Sequence, residues 1–161
     1  MSEILTNNME GFLSKGKAVE ACFHGLKEKQ GCIMSVANNQ EDMKEHWDVM
    51  YNGRKVDVKG MKGLIRYDPL NENYHHVELR NINGQLGWLF GNADEFAFET
   101  EDFFVIVEAQ ILRNLIKSKL KCKVCSFPTP YELYHRKGTK DVITLSKTID
   151  LINISKEILY K

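Results

Sequence analysis

No stretch of this chain approaches the roughly 18 consecutive apolar residues that cross a bilayer, which excludes a membrane-spanning helix. Nor does the N-terminus, Met-Ser-Glu-Ile-Leu, have the basic-then-apolar order of a signal peptide, so a cytosolic location is expected. There is no excess of one charge: 22 Lys and Arg meet 22 Asp and Glu. That balance counts against a protein that coats nucleic acid non-specifically. Cysteine is scarce, at four residues, and Cys122-Lys-Val-Cys125 is a lone CxxC with no second CxxC and no downstream His pair. Idle thiols in a reducing compartment are the expected reading, with a zinc knuckle completed by Cys22 and Cys32 as the alternative. Repeats, low-complexity tracts and linkers are absent too. The 161 residues therefore read as one domain, with a core at about 15–120 and a C-terminal extension at 121–161.

What is present is an ordinary globular composition, 43% hydrophobic and 27% charged, long enough to bury a sizeable core. The charge is uneven along the chain. Residues 101–161 hold 11 Lys and Arg against seven Asp and Glu, while residues 1–100 hold 11 against 15. An acidic part beside a basic part suits a metal site next to a phosphate-binding face.

After a polar lead-in at 1–14, Val19, Cys22, Phe23 and Leu26 recur at helical spacing from Lys17 to Lys29, and Gly31 follows as a stop. Two strand-like runs, His46–Tyr51 and Arg54–Lys59, flank Asn52-Gly53. A third strand is expected at His75–Arg80, a strand pair at Glu95–Glu99 and Phe103–Glu108, and a helix at Ala109–Leu120. Shorter pieces follow at Tyr131–Arg136, Val142–Leu145 and Leu151–Ile154. This order predicts an α/β fold, with a central mixed sheet of about five strands flanked by helices.

Asn-Gly between two alternating runs is a strong hairpin signal, because a type I′ turn needs positive φ at both central residues. Counting outward pairs Tyr51 with Arg54, Met50 with Lys55, Val49 with Val56, Asp48 with Asp57, and His46 with Lys59. Alternation then gives one face to Trp47, Val49, Val56 and Val58, and the other to His46, Asp48, Asp57 and Lys59. Facing carboxylates, about 5 Å apart at Cβ, repel each other. A divalent cation between them turns repulsion into binding, and hard oxygen ligands suit Mg²⁺ or Mn²⁺. Lys59 is placed to hold a phosphate or a developing oxyanion. The alternative is a solvated sheet face on which Lys59 pairs with the acids.

Asp48, followed on the next strand by Asp57-Val58-Lys59, resembles the motif of the PD-(D/E)xK nuclease superfamily. The helix carrying Glu20, followed by Gly31-Cys32-Ile33, is similar to the family's preceding helix, whose glutamate often completes the metal site. Trp47 replaces the proline of the motif's name, and Asp57 stands where glutamate is as common. The resemblance implies a restriction-endonuclease-like core with αβββ-αβ-like order. It also implies one or two Mg²⁺ or Mn²⁺ ions held by Asp48, Asp57, Glu20 and the Val58 carbonyl, with Lys59 at the reacting phosphate. It further implies a metal-dependent DNA endonuclease of small resolvase or phage type, with branched or junction DNA among its substrates. Such an enzyme would be a homodimer in a bacterial or phage-infected cell. The competing reading is a catalytically silent nuclease-fold protein that binds nucleic acid or a protein partner.

Further candidates are Glu78, on the strand expected beside Asp57, and Lys62, Arg66, His135, Arg136 and Lys137, with Lys140, for contacts to a nucleic-acid backbone. The aromatic segment Trp88–Phe90 suits core packing or a docking surface. Asp94 and Glu95 are expected to start a strand.

Overall fold

The computed structural model describes residues 2–161, with side chains from Lys15 onward. Helix α1 (Ser2–Lys29) is followed by β1 (Met34–Val36), a π-helical turn at Glu41–Glu45, β2 (Val49–Tyr51), β3 (Arg54–Lys59) and β4 (Tyr74–Arg80). A 3-10 turn at Trp88–Phe90 leads to β5 (Glu95–Glu99), β6 (Phe103–Glu108) and α2 (Ala109–Lys119). The chain closes with β7 (Val124–Cys125), β8 (Leu133–His135), β9 (Val142–Lys147), α3 (Thr148–Asn153) and β10 (Glu157–Tyr160). The lead-in expected at 1–14 is helical from Ser2 onward, and the helix stops where expected, with Gly31 at φ +83°.

The architecture is mixed α/β, but the strands divide between two sheets instead of forming one of about five. The first sheet has six strands in the order β1-β2-β3-β5-β6-β10, and the second has four in the order β4-β9-β8-β7. β3 runs antiparallel to β2 and parallel to β5, so the first sheet is mixed. β6, Phe-Phe-Val-Ile-Val-Glu, is a nearly unbroken apolar run because both of its faces are covered. Residues 121–161 supply three strands of the second sheet and the edge strand β10 of the first.

Two apolar layers hold the first sheet. Phe23 of α1 is fully buried against Val49, Val56, Val58, Ala97, Phe104 and Ile106 on one face. On the other face Phe96, Phe98, Val105 and Val107 pack with Trp88, Leu89, Val77 of β4, and Leu112 and Ile116 of α2. Trp88 lies 5.0 Å from Phe96 and His75 lies 5.1 Å from Phe98, ring centre to ring centre, so β4 and the 3-10 turn close over that face.

β4 pairs with β9, not with β3, whose neighbours are β2 and β5. Glu78 therefore does not sit on a strand beside Asp57, contrary to the sequence expectation. Among the described residues no helix is long and apolar enough to cross a membrane.

Candidate functional site

The turn at Asn52-Gly53 has φ +47° and +80°, the left-handed pair that type I′ demands. The counted register holds for Tyr51–Arg54, Met50–Lys55 and Val49–Val56, and then the ladder ends. The Asp48 amide donates to the Val56 carbonyl at 2.8 Å, so the strand departs from regular pairing one residue before the expected Asp48–Asp57 partnership. His46, at φ +57°, closes the π-helical turn and is not strand at all. The expected face division fails with it: Trp47 enters the Trp88–Phe96 layer while Val49 enters the Phe23 layer.

Leaving the ladder does not separate the acids. The Asp48 carboxylate turns toward β3 and accepts the Val58 N–H at 2.7 Å. The two acids lie close enough for Asp48 to feel the Asp57 charge, and both residues are buried, at 8% and 3% exposure. Asp57 Oδ1 takes the Lys59 ammonium at 2.7 Å, while Asp57 Oδ2 is buried with no hydrogen-bond partner. Burial first, and the Asp57 charge second, push the Asp48 acid up to about 7, against the Val58 N–H and Lys59, which favour its ionised form. Burial also raises Asp57, opposed by Lys59.

Lys59 lies 4.4 Å from the centre of the Trp88 ring, a cation–π contact that holds its ammonium beside Asp57. Glu20 comes from α1, and its closest charged company is Lys17 at 3.1 Å together with Asp48. Burial and the Asp48 charge raise its pKa. Asp42, in the π-helical turn, lies 3.8 Å from Lys17 and adds negative charge felt by Glu20, Asp48 and Asp57. The structure thus brings Asp48, Asp57 and Lys59 together, and sets Glu20 near enough for Asp48 to act on it through charge; Asp42 and Trp88 join the surroundings, which sequence reasoning did not connect to the acids.

The remaining candidates fall elsewhere. His46 packs against Gly91 and away from Lys59. Asp94 accepts the Lys55 N–H at 2.9 Å, and Glu95 starts β5, fully buried and bonded to Tyr51 and Lys156. Glu78 Oε1 accepts the Trp88 N–H at 3.3 Å. Lys62, Arg66, His135, Arg136 and Lys137 are all exposed, in the β3–β4 loop, at the end of β8 and in the turn after it. Arg136 pairs with Asp141. Burial of its end first, then the Lys59 charge, and to a lesser degree Arg136, depress the Lys62 ammonium. Trp88 and Leu89 are core residues, while Phe90 is 45% exposed. Cys22, Cys32, Cys122 and Cys125 are free thiols.

The acid pair suits a hard divalent cation: two convergent carboxylates, one with an orphaned buried oxygen, in a place where ionising both without a counter-charge is unfavourable. Among the described residues no group of three or more His, Cys, Asp or Glu is gathered closely enough to hold a metal by itself. No family model, no curated protein and no solved structure matches the chain.

Proposed function

We propose that the chain is a metal-dependent endonuclease that hydrolyses phosphodiester bonds in DNA, branched or junction DNA included. The carrying observation is the Asp48–Asp57 pair, buried, with an unpartnered Asp57 Oδ2 and Lys59 on the same carboxylate. On this reading α1, β1–β3, β5, β6 and α2 form a restriction-endonuclease-like core of the PD-(D/E)xK kind. The protein works as a homodimer in the cytoplasm of a bacterial or phage-infected cell, since cutting two strands symmetrically needs two sites.

Asp48 and Asp57, with Glu20 and the Val58 carbonyl, would hold Mg²⁺ or Mn²⁺, which supplies Lewis-acid polarisation of the phosphate and a more acidic bound water. Lys59 neutralises charge on the phosphate oxygens from a fixed position, because Asp57 and Trp88 hold its ammonium on two sides. Asp48 keeps a proton near neutrality until a cation displaces it. Lys62, Arg66, His135, Arg136 and Lys137 would meet the nucleic-acid backbone.

The second reading is a nuclease-fold protein that binds nucleic acid without cutting. It draws on the lack of a third acid at ligand distance among the described residues. One assay separates the two. The protein is incubated with plasmid, linear, single-stranded and four-way-junction DNA in Mg²⁺, Mn²⁺ or EDTA. Metal-dependent cleavage, lost in Asp57→Ala and Lys59→Ala, is expected. Binding without cleavage in either metal would instead establish the second reading.

A further inference from the structure

Across Lys59 from the acid pair, a cleft opens between the two sheets, lined by Lys59, Lys62, His75 and His76 and walled by Tyr74 and Trp88. We propose that this cleft binds a phosphate group. His75 is 4% exposed, and its Nε2 has no hydrogen-bond partner; the Nε2 of His76 is equally buried and unpartnered. A buried nitrogen left without a partner is unfavourable unless a ligand satisfies it. Packing alone would be served better by apolar side chains.

The His76 imidazole lies beside the Gly63–Leu64 backbone, and its Nε2 is the nitrogen left buried and unpartnered. The surrounding charge selects the ligand's sign. Lys62 and Arg136 act on His76, and Lys59 acts on Lys62, so a cation would be repelled there. Of the nearby acids, Asp57 engages Lys59 through Oδ1 and Glu78 accepts the Trp88 N–H. The cleft has room for little more than one water-sized group, so a phosphate would enter it by a single oxygen, and a base or a sugar would not fit. Phosphate oxygens would accept from Lys62 and Lys59, and from an imidazole Nε2–H that gains its proton alongside the anion. The inference does not require Asp48 and Asp57 to hold a metal.

The test uses the full chain in EDTA, with inorganic phosphate titrated against the imidazole nitrogen resonances. Saturable shifts of His75 and His76 are expected, with affinity about tenfold weaker in Lys62→Ala, the loss of one charge-assisted contact. His76→Gln provides a second variant with the same expectation. Short oligonucleotides with a 5′-phosphate or a 5′-hydroxyl then identify the source. Tighter binding of the phosphorylated form assigns a nucleic-acid end, and equal binding assigns free phosphate, either being consistent with the cleft. Resonances that stay still to tens of millimolar phosphate, or that shift equally in Lys62→Ala, overturn it. Phosphate binding without metal-dependent cleavage would sink the nuclease reading alone; cleavage with unmoved imidazoles would sink this inference alone.

Discussion

Lys59 and Asp57 lie two residues apart on β3, and their 2.7 Å contact joins a cation whose side chain is 24% exposed to a buried carboxylate. Removing the cation leaves Asp57 buried and charged, or forces it to take a proton. Lys59→Met is expected to destabilise the fold by roughly 2–3 kcal/mol at pH 8, less than for a fully buried pair because Lys59 reaches solvent. The loss should shrink at pH 5, where Asp57 protonates more readily. Urea unfolding at both pH values reads this. A loss of equal size at both would mean that only the packing on Trp88 had been removed.

Asp48 predicts the shape of the stability profile. Its folded acid is pushed up to about 7, whereas an unfolded aspartate titrates near 3.9. Between those limits the folded state keeps a proton that the unfolded state has released. Stability therefore falls as pH rises through this window, by on the order of 4 kcal/mol, and Asp57, also raised, adds slope of the same sign. Asp48→Asn still offers an oxygen to the Val58 N–H but carries no charge. It should be more stable than the parent at pH 8 and similar at pH 4. Parallel profiles for the two proteins would show that Asp48 does not carry the penalty.

A divalent cation should relieve that same penalty. Mn²⁺ is expected to raise the melting temperature at pH 8 and to do so far less at pH 5, because the acids must shed protons to bind it. Asp57→Asn should remove the response. Glu20→Gln should keep it with about tenfold weaker affinity, since Glu20 approaches the pair from α1 on the Asp48 side. Calorimetric titration of Mn²⁺ into the three proteins checks the ranking. An unchanged affinity in Glu20→Gln would remove Glu20 from the site.

The parts of this site that could be read from residues alone were those set by local rules. Asn52-Gly53 specified its turn, and the turn specified three cross-strand pairs. The next pair failed because the Asp48 amide donates to the Val56 carbonyl while its carboxylate accepts the Val58 N–H, an arrangement that spacing does not encode. The acids still met, by a side-chain route instead of a ladder position. The strands Glu95–Glu99 and Phe103–Glu108 matched the structure because apolar runs bounded by a tight turn leave little freedom. β4 looked like any neighbouring strand in sequence, and its partner β9 lies far along the chain, so the second sheet was invisible. His75 and His76 share a cleft with Lys59 and Lys62, a meeting that no sequence spacing announces.

The last relationship fixes the π-helical turn from which β2 and Asp48 emerge. A Cβ on Gly91 would stand 2.8 Å from His46 Cβ and 3.0 Å from the Glu45 carbonyl oxygen, too close for either. His46 itself holds φ +57°, a left-handed conformation that costs a non-glycine residue about 1 kcal/mol. Gly91→Ala is expected to destabilise by roughly 1–3 kcal/mol, as overpacking does. His46→Gly removes both the facing Cβ and the left-handed strain, so by itself it should be neutral or mildly stabilising. In that background the loss from Gly91→Ala should fall below about 1 kcal/mol, a coupling that a double-mutant cycle measures directly. If the loss is the same in both backgrounds, the contact is with the Glu45 backbone, and His46 does not set how closely the two turns approach.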